Sequence, residues 1–198
     1  MPKTNFRCAN VLIVLLVLSA CSSSPKKEAV IIAPVSKVLA PKLMPQDQDK
    51  YALALTMMKS KAFDQAAVYF EELLKQYPDL VGAIVNLALI DQAGGNLDRA
   101  LERYAHGLSI NENNLSALIQ SSVILQQKGK FSEAEANLRR AHAIDNVSPI
   151  VNYNLGVLYE LYLQEFGLAI QHYKRYVAVS KQDDVETVKR WIKLLEMK

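Results

Sequence analysis

The chain has 198 residues, of which 51% are hydrophobic and 22% charged, with 23 basic and 20 acidic side chains. This length allows one domain of ordinary size together with terminal extensions. The formal net charge of +3 is too small for the strong positive field that nucleic-acid binding requires, so we expect no nucleic-acid partner.

The first twenty residues have the pattern of a secretory signal peptide. Lys3 and Arg7 precede the apolar segment VLIVLLVLSA of residues 11–20, and no acidic residue occurs before it. This run is too short to cross a bilayer as a helix, which needs about 20 apolar residues. We predict a signal peptide over 1–20, and a single-pass membrane anchor is the alternative.

A cysteine stands where the apolar segment ends. The residues LSAC of 18–21 resemble the lipobox of bacterial lipoproteins. That resemblance implies diacylglycerol on the Cys21 thiol, cleavage before Cys21 and acylation of the new amino group. Ser22, since it is not Asp, implies sorting to the outer membrane, with the protein on its periplasmic face. Three acyl chains exceed the two signals needed for stable anchoring, and this lipid is the only non-protein group we expect.

A proline-containing linker follows the cysteine. Residues 22–46 hold Pro25, Pro34, Pro41 and Pro45, a density that breaks any helical or strand period. We predict lipidated Cys21 and a flexible linker over 21–46, with an ordered N-terminal arm as the alternative. Cleavage after residue 20 would lower the basic count from 23 to 21 against 20 acidic side chains, and would remove the second cysteine, Cys8.

A repeat of about 34 residues begins near residue 47. Ala66, Ala100, Ala134 and Ala169 are separated by 34, 34 and 35 residues. A large apolar residue lies three positions before each alanine and another lies four positions after it. Twelve residues before the first three alanines stands a small residue, namely Ala54, Ala88 and Ser122. In the fourth copy the small residue is Gly156, thirteen before, which we interpret as one residue inserted between helices.

This period and pattern resemble the tetratricopeptide repeat, a helix-turn-helix unit. The fourth copy carries the resemblance best, with Leu155, Gly156 and Tyr159 at the family's first-helix positions. The family's first-helix Trp is absent from every copy. The resemblance implies an all-α solenoid of four hairpins, each burying its apolar face against the next. The predicted repeats are 47–80, 81–114, 115–148 and 149–183.

The end of a stacked array needs a cap, and the last residues have the pattern of one. Over 184–198 an apolar stripe runs along one face of a predicted helix, formed by Val185, Val188, Ile192 and Leu195. Trp191 lies at the edge of this stripe. We therefore predict a capping helix and assign Trp191 to core packing in preference to binding.

We find no catalytic constellation in the sequence. His106, His142 and His172 occur on predicted second helices at different phases of the repeat, so we expect them to share no face. There is no His-Glu-x-x-His pair and no phosphate-binding glycine loop. We therefore expect no enzyme activity, no metal and no small-molecule substrate.

Protein recognition remains, and the resemblance implies a concave groove lined by first helices. Aligned copies place three amides in register and put apolar rows before and after them. The predicted groove residues are Val85, Asn86, Leu89, Ile119, Gln120, Val123, Tyr153, Asn154 and Val157. Packing between hairpins is the alternative for the apolar rows. We assign the amides to the groove, because amides without partners are costly to bury.

Together these features predict an outer-membrane lipoprotein that acts as an adaptor for protein partners in the cell envelope. The chain is similar to repeat lipoproteins that pilot type IV pilus secretins and to small repeat proteins that accompany TonB-type energy-transducing complexes. The alternative is a regulator that binds and localises peptidoglycan hydrolases or synthases. An enzyme with a site assembled from scattered residues would instead show a deep pocket.

Overall fold

The computed structural model describes residues 42–198, so the predicted signal peptide, Cys21 and most of the predicted linker lie outside the described residues. Every regular element in this range is helical, which confirms the all-α prediction. The helices are α1 Pro45–Lys59, α2 Phe63–Gln76, α3 Val81–Ala93, α4 Leu97–Ile110, α5 Leu115–Gln127, α6 Phe131–Ile144, α7 Pro149–Val157, a π-helical turn Leu158–Leu163, α8 Phe166–Val179 and α9 Val185–Leu195.

The helices form four hairpins that stack in chain order. We call α1, α3, α5 and α7 the first helices, and α2, α4, α6 and α8 the second helices. Each first helix packs against its own second helix, and α3, α5 and α7 also pack against the second helix of the preceding hairpin. In addition α3 contacts α5, and α5 contacts α7. The first helices therefore occupy the inner side of the stack.

Burial differs between the two classes of helix as this arrangement requires. The helices α3, α5 and α7 are buried on nearly all sides, whereas the second helices bury only one face each. A helix that is apolar all round belongs inside a structure, and an amphipathic helix belongs at its surface. The sequence of each of the last three hairpins thus encodes one inner and one outer helix.

Small residues allow the two helices of a hairpin to approach closely. Ala54, Ala88 and Ser122 are completely buried, as the repeat predicted. Gly156 makes the tightest approach, since a Cβ atom there would overlap Cε1 of the Tyr173 ring. Tyr173 is itself fully buried, so its ring has little room to move away.

The turn between the helices of each hairpin contains one residue with positive φ. These residues are Lys61, Gly95, Gly129 and Gln164, and they follow the same 34-, 34- and 35-residue spacing as the alanines. Glycine adopts this left-handed conformation without steric cost, whereas other L-residues are strained in it. The two central hairpins use glycine, and the two terminal hairpins do not.

The extra residue of the fourth copy is located differently from the prediction. It does not lengthen the connection between helices; instead the first helix continues past Val157 as the π-helical turn Leu158–Leu163. A π-helical turn is the ordinary way for a helix to absorb one inserted residue. The helix then ends at Gln164, whose φ is 57°.

The C-terminal end of the stack is covered by α9. Val188, Ile192 and Leu195 are buried, and Trp191 packs against Tyr153 and Tyr173 with ring centroids 6.4 and 5.9 Å apart. Trp191 thus belongs to the packing of the cap, as its place beside the stripe predicted. Within residues 42–198 no helix is both long enough and apolar enough to span a bilayer.

Candidate functional site

The structure places the nine predicted groove residues mainly inside the array. Eight of them are buried, and only Val123 is partly exposed. The expectation that these side chains line an open groove is therefore wrong for the eight. The physical reason is that α3, α5 and α7 each pack against their own second helix and against the second helix of the preceding hairpin, and contact between neighbouring first helices adds to this cover.

The three amides have partners within the chain. Asn86 donates from Nδ2 to Oη of Tyr51 at 3.1 Å, and Asn154 donates from Nδ2 to the carbonyl of Ile150 at 2.8 Å. Gln120 accepts from Nε2 of Gln92 at 3.4 Å. Buried amides do need partners, but the neighbouring helices supply them, so these residues serve the fold.

The apolar rows are packing contacts as well. Val85 is fully buried, and its Cγ2 lies 3.2 Å from where a Cβ on Gly107 would stand. Tyr153 packs against Tyr176 with ring centroids 5.3 Å apart. The remaining members have the same character: Leu89, Ile119 and Val157 are buried in the interfaces between hairpins.

A second set of first-helix residues, one turn further along, lies at the edge of the inner face. Gln92, Gln126 and Glu160 are spaced by 34 residues, and we call them the inner polar row. Tyr104 donates its hydroxyl to Oε1 of Gln92 at 2.9 Å. Tyr173 donates its hydroxyl to Oε2 of Glu160 at 2.6 Å. In both hairpins a tyrosine of the second helix thus holds the inner polar side chain.

Burial raises the pKa of both tyrosines, and a nearby carboxylate raises it further. For Tyr104 that carboxylate is Asp91, and for Tyr173 it is the hydrogen-bonded Glu160. Both hydroxyls therefore remain protonated and available as donors throughout the physiological pH range.

Gln126 in the third hairpin lacks this support. Its amide nitrogen is buried and has no hydrogen-bond partner among the residues that the structure describes. The repeat explains why: in the second hairpin the nitrogen of Gln92 donates to Gln120, and the shorter Asn154 occupies the place of Gln120 in the next copy. Leu138 in the place of Tyr104 removes only a donor to the amide oxygen. Leaving a buried donor unpaired costs about 1–3 kcal/mol. Gln126 is thus a donor held on the inner face without an acceptor.

The surroundings of Gln126 form a shallow surface and not a deep pocket. Val123 precedes it by one turn and is half-buried, and Gln92 and Glu160 are half-buried on either side. Gln127, the next residue, is exposed. The repeat phase could have identified this row, because Gln92 and Gln126 share a register position. The hydrogen bonds that hold Gln92 and Glu160, in contrast, are visible only in the structure.

Two histidines meet on the second helices, contrary to the expectation that they share no face. The rings of His142 on α6 and His172 on α8 are perpendicular, with centroids 5.3 Å apart. Residues at different repeat positions lie side by side on neighbouring second helices, because the two helices are shifted relative to each other. The repeat position of a residue does not reveal this shift. His106 on α4 stays apart and exposed. Among the described residues no three His, Cys, Asp or Glu side chains are grouped to hold a metal ion.

Comparison with known proteins agrees with this architecture. Residues 57–121 match the tetratricopeptide repeat family. A relative among curated proteins is anaphase-promoting complex subunit 7 of Arabidopsis thaliana, 26% identical over 111 residues and 56% of this chain. The chain spans about a fifth of the length of that relative, since the match covers 20% of it.

Solved structures show the same fold at low sequence identity. A thermophilic tetratricopeptide repeat protein of Thermus thermophilus superimposes with a TM-score of 0.60 at 19% identity, covering 77% of this chain and 82% of that one. A repeat protein of Parabacteroides merdae gives 0.63 at 17% identity, covering 76% and 60%. MamA gives 0.58 at 20% identity, covering 67% and 72%. The stacked hairpins, their period and these matches show that this chain has the tetratricopeptide-repeat fold.

Proposed function

We propose that this chain is a protein-interaction scaffold that holds an extended segment of a partner protein along the inner face of its first helices. The observation that supports this most directly is Gln126, a buried amide donor without an acceptor among the described residues. Proteins rarely keep such a group, because its loss of hydration is not compensated. A carbonyl of a bound segment would compensate it.

The inner polar row suits a peptide backbone. Gln126 can donate to a carbonyl, and the half-buried Val123 beside it offers an apolar contact to a side chain of the same segment. Tyr104 and Tyr173 hold Gln92 and Glu160 in place on either side, so little side-chain entropy is lost there on binding.

For the setting of this scaffold we propose the bacterial cell envelope, with Cys21 acylated and the repeats held on the periplasmic face of the outer membrane. The support is the sequence at the start of the chain, where a charged segment, an apolar segment and Cys21 succeed one another. The partner would then belong to a TonB-type energy-transducing complex or a type IV pilus secretin. A peptidoglycan hydrolase or synthase is the alternative partner.

The inner face is tested with a photo-crosslinking residue at Gln127 in living cells. The control carries the same residue at His106, which is exposed on a second helix. We expect Gln127, but not His106, to form a covalent adduct, which mass spectrometry identifies. The identity of the adduct separates a TonB-type or secretin subunit from a peptidoglycan enzyme. Adducts from His106 alone would place the interaction on the outer face.

The role of Gln126 is then tested with the purified partner. Gln126→Leu removes the unpaired donor, so we expect stability to stay constant or rise by about 1 kcal/mol while partner affinity falls about fivefold or more. Gln92→Leu is the matched control: it breaks two hydrogen bonds within the chain and should lower stability. Unchanged affinity for Gln126→Leu would show that the amide serves no partner.

The anchor is tested separately. Cys21→Ser should release the protein from membranes or stall its processing, because the thiol that carries the lipid is gone. Incorporation of radiolabelled palmitate into Cys21→Ser would contradict the lipid assignment without affecting the scaffold proposal.

A further inference from the structure

Two cavities lie side by side between the second helices α6 and α8, away from the inner face. One has a volume of about 310 Å³ and the other of about 270 Å³. They share His142 and Arg175, which stand between them. We call this region the histidine–arginine cavity. The larger part is lined by Arg139, His142, Ala143, Leu155, Tyr159, Leu168, His172 and Arg175.

The charge of this cavity is not balanced by its own lining. Arg139 and Arg175 both line it, and no carboxylate of the described residues does. Nη1 of Arg139 lies 3.6 Å from Oε1 of Glu135 on the same helix, so this arginine has an acidic partner. Arg175 forms no ion pair within residues 42–198; its guanidinium donates from Nη1 to Nε2 of His142 at 3.0 Å. Arg175 therefore lies between the two cavities with a positive charge that no carboxylate of the described residues neutralises.

Hydrogen bonds determine which ring nitrogen carries the hydrogen in each of the two imidazoles. Asn152 donates from Nδ2 to the carbonyls of Asn146 and Ser148 at 3.0 and 2.9 Å, so its Oδ1 faces Nδ1 of His172 at 3.0 Å. Nδ1 of His172 therefore carries the hydrogen and Nε2 does not. Since Nε2 of His142 accepts from Arg175, His142 likewise carries its hydrogen on Nδ1.

Both histidines are neutral at pH 7. Burial, followed by His142 and Arg175, lowers the pKa of His172 to about 4. Burial and Arg175 also lower the pKa of His142, against the opposing influence of Asp145. The positive charge of the cavity thus comes from its two guanidinium groups.

We propose that the histidine–arginine cavity binds the side-chain carboxylate of an acidic segment of a partner protein, with Arg175 as its principal contact. A guanidinium can bind a carboxylate through two parallel hydrogen bonds. Leu155 and Leu168 supply apolar walls for the methylene groups of the acidic side chain. The cavity continues on both sides of the His142–Arg175 pair, which leaves room for the backbone of the partner segment to extend in both directions.

A carboxylate suits this cavity better than a phosphate dianion. Of the two lining arginines only Arg175 is without a carboxylate partner among the described residues, and the fold favours the neutral form of both imidazoles. A dianion with three acceptor oxygens needs several charged donors. One negative charge matches the one unpaired guanidinium.

Binding should strengthen as the pH falls, since a bound anion favours the protonated imidazole of His142. The groups that face His142 are Arg139 on its own helix, Asp145 in the turn after it, and His172 and Arg175 on α8. Tyr159 lines the same cavity and donates its hydroxyl to Glu135 at 2.9 Å. Within the chain, Asp145 is the carboxylate that favours protonation of His142.

The test uses the purified full chain in detergent and three fluorescent hexapeptides. The first has two glutamates and an amidated C-terminus, the second has glutamines in their place, and the third is neutral with a free C-terminal carboxylate. We expect the first to bind, with an affinity that rises about threefold or more from pH 7.5 to 5.5. We expect the second and third to bind about tenfold more weakly.

Variants locate the binding. Arg175→Gln should weaken binding of the first peptide about tenfold, and Arg175→Lys should restore part of it. Arg190→Gln, at an exposed arginine of α9, is the matched control and should leave binding unchanged. In nuclear magnetic resonance spectra the ring signals of His142 and His172 should shift on titration, while those of His106 should not.

Several outcomes would overturn the assignment. Equal binding by wild type and Arg175→Gln would show that the cavity is not the site. Equal binding of the glutamate and glutamine peptides would exclude recognition of a side-chain carboxylate. Selective binding of the free C-terminus, or displacement by phosphate at concentrations where acetate has no effect, would assign the cavity to another anion.

Discussion

The first and last hairpins lie at the two ends of one stack, and only the last is covered among the described residues. Tyr173 and Tyr176 of α8 are almost completely buried, because α9 packs over this end. At the other end Leu53 of α1 is 43% exposed and Val68 of α2 is 54% exposed. A terminal repeat needs a cover for its apolar face, and the two ends show what that cover contributes.

The open end also has a cavity on its surface. It has a volume of about 430 Å³ and is lined by Met57, Gln65, Val68, Tyr69 and Glu72 of the first hairpin. At the covered end Trp191 and its neighbours on α9 pack directly against the fourth hairpin. Substitutions at the covered end should therefore cost far more stability than those at the open end.

The largest effect is expected for Trp191→Ala. Loss of a half-buried indole that contacts Tyr153 and Tyr173 should lower the free energy of unfolding by about 2–4 kcal/mol. Val68→Ala at the open end is the control, and it should change the free energy by no more than about 0.5 kcal/mol. Urea titration followed by circular dichroism measures both. Similar losses in the free energy of unfolding for the two variants would contradict the expectation that the covered end is the more sensitive one.

A pH effect of intermediate size is expected at the covered end. The pKa of His172 is about 4 in the fold and 6.5 in its absence, so the fold favours the neutral imidazole. Its contribution is fully present above pH 6.5 and is lost as the pH falls from 6.5 to 4, by up to about 3 kcal/mol. Hydrogen exchange should show α8 losing protection in this range before α2, which contains no histidine.

His172→Gln provides the control for this pH effect. The glutamine does not titrate and can still reach Asn152, so the decline at acidic pH should flatten. An unchanged decline in His172→Gln would assign the acid sensitivity to another group.

The smallest of these effects compares two glycines of the fourth hairpin. Gly156→Ala places a Cβ against the buried Tyr173 ring and should destabilise the protein by about 1–3 kcal/mol. Gly167→Ala, near the start of α8, meets no atom within 4 Å and should stabilise by about 0.5–1 kcal/mol. Thermal unfolding measures the difference, and equal melting temperatures would contradict the close approach.

The sequence predicted the architecture well because every hairpin has the same packing requirement. A fully buried Ala66 needs its counterparts Ala100, Ala134 and Ala169, and the period therefore appears directly in the residues. The stripe of α9 was recognisable for the same reason, since one face of an isolated helix must be covered.

The candidate site was harder to predict, because burial of a first-helix residue depends on its neighbours. Asn86 and Gln126 are both amides on inner helices, yet Asn86 has a partner in Tyr51 and the Gln126 nitrogen has none among the described residues. In the second hairpin the corresponding nitrogen, Nε2 of Gln92, donates to Gln120, whereas the counterpart of Gln120 in the next hairpin is the shorter Asn154. A residue pattern within one copy does not contain that information. The contact of His142 with His172 depends in the same way on the relative shift of two helices.

The π-helical turn at Leu158–Leu163 also shows how one repeat of such an array can come to differ from the other copies. One additional codon suffices for it, and the helix accepts the residue without losing its partner helix. The turn carries Glu160, which accepts a hydrogen bond from the hydroxyl of Tyr173, just as Gln92 accepts one from Tyr104 at the same repeat positions of the second hairpin. A duplicated gene segment begins with identical modules, and a π-helical turn lets one module gain a residue while it keeps a side-chain contact of its sister copy.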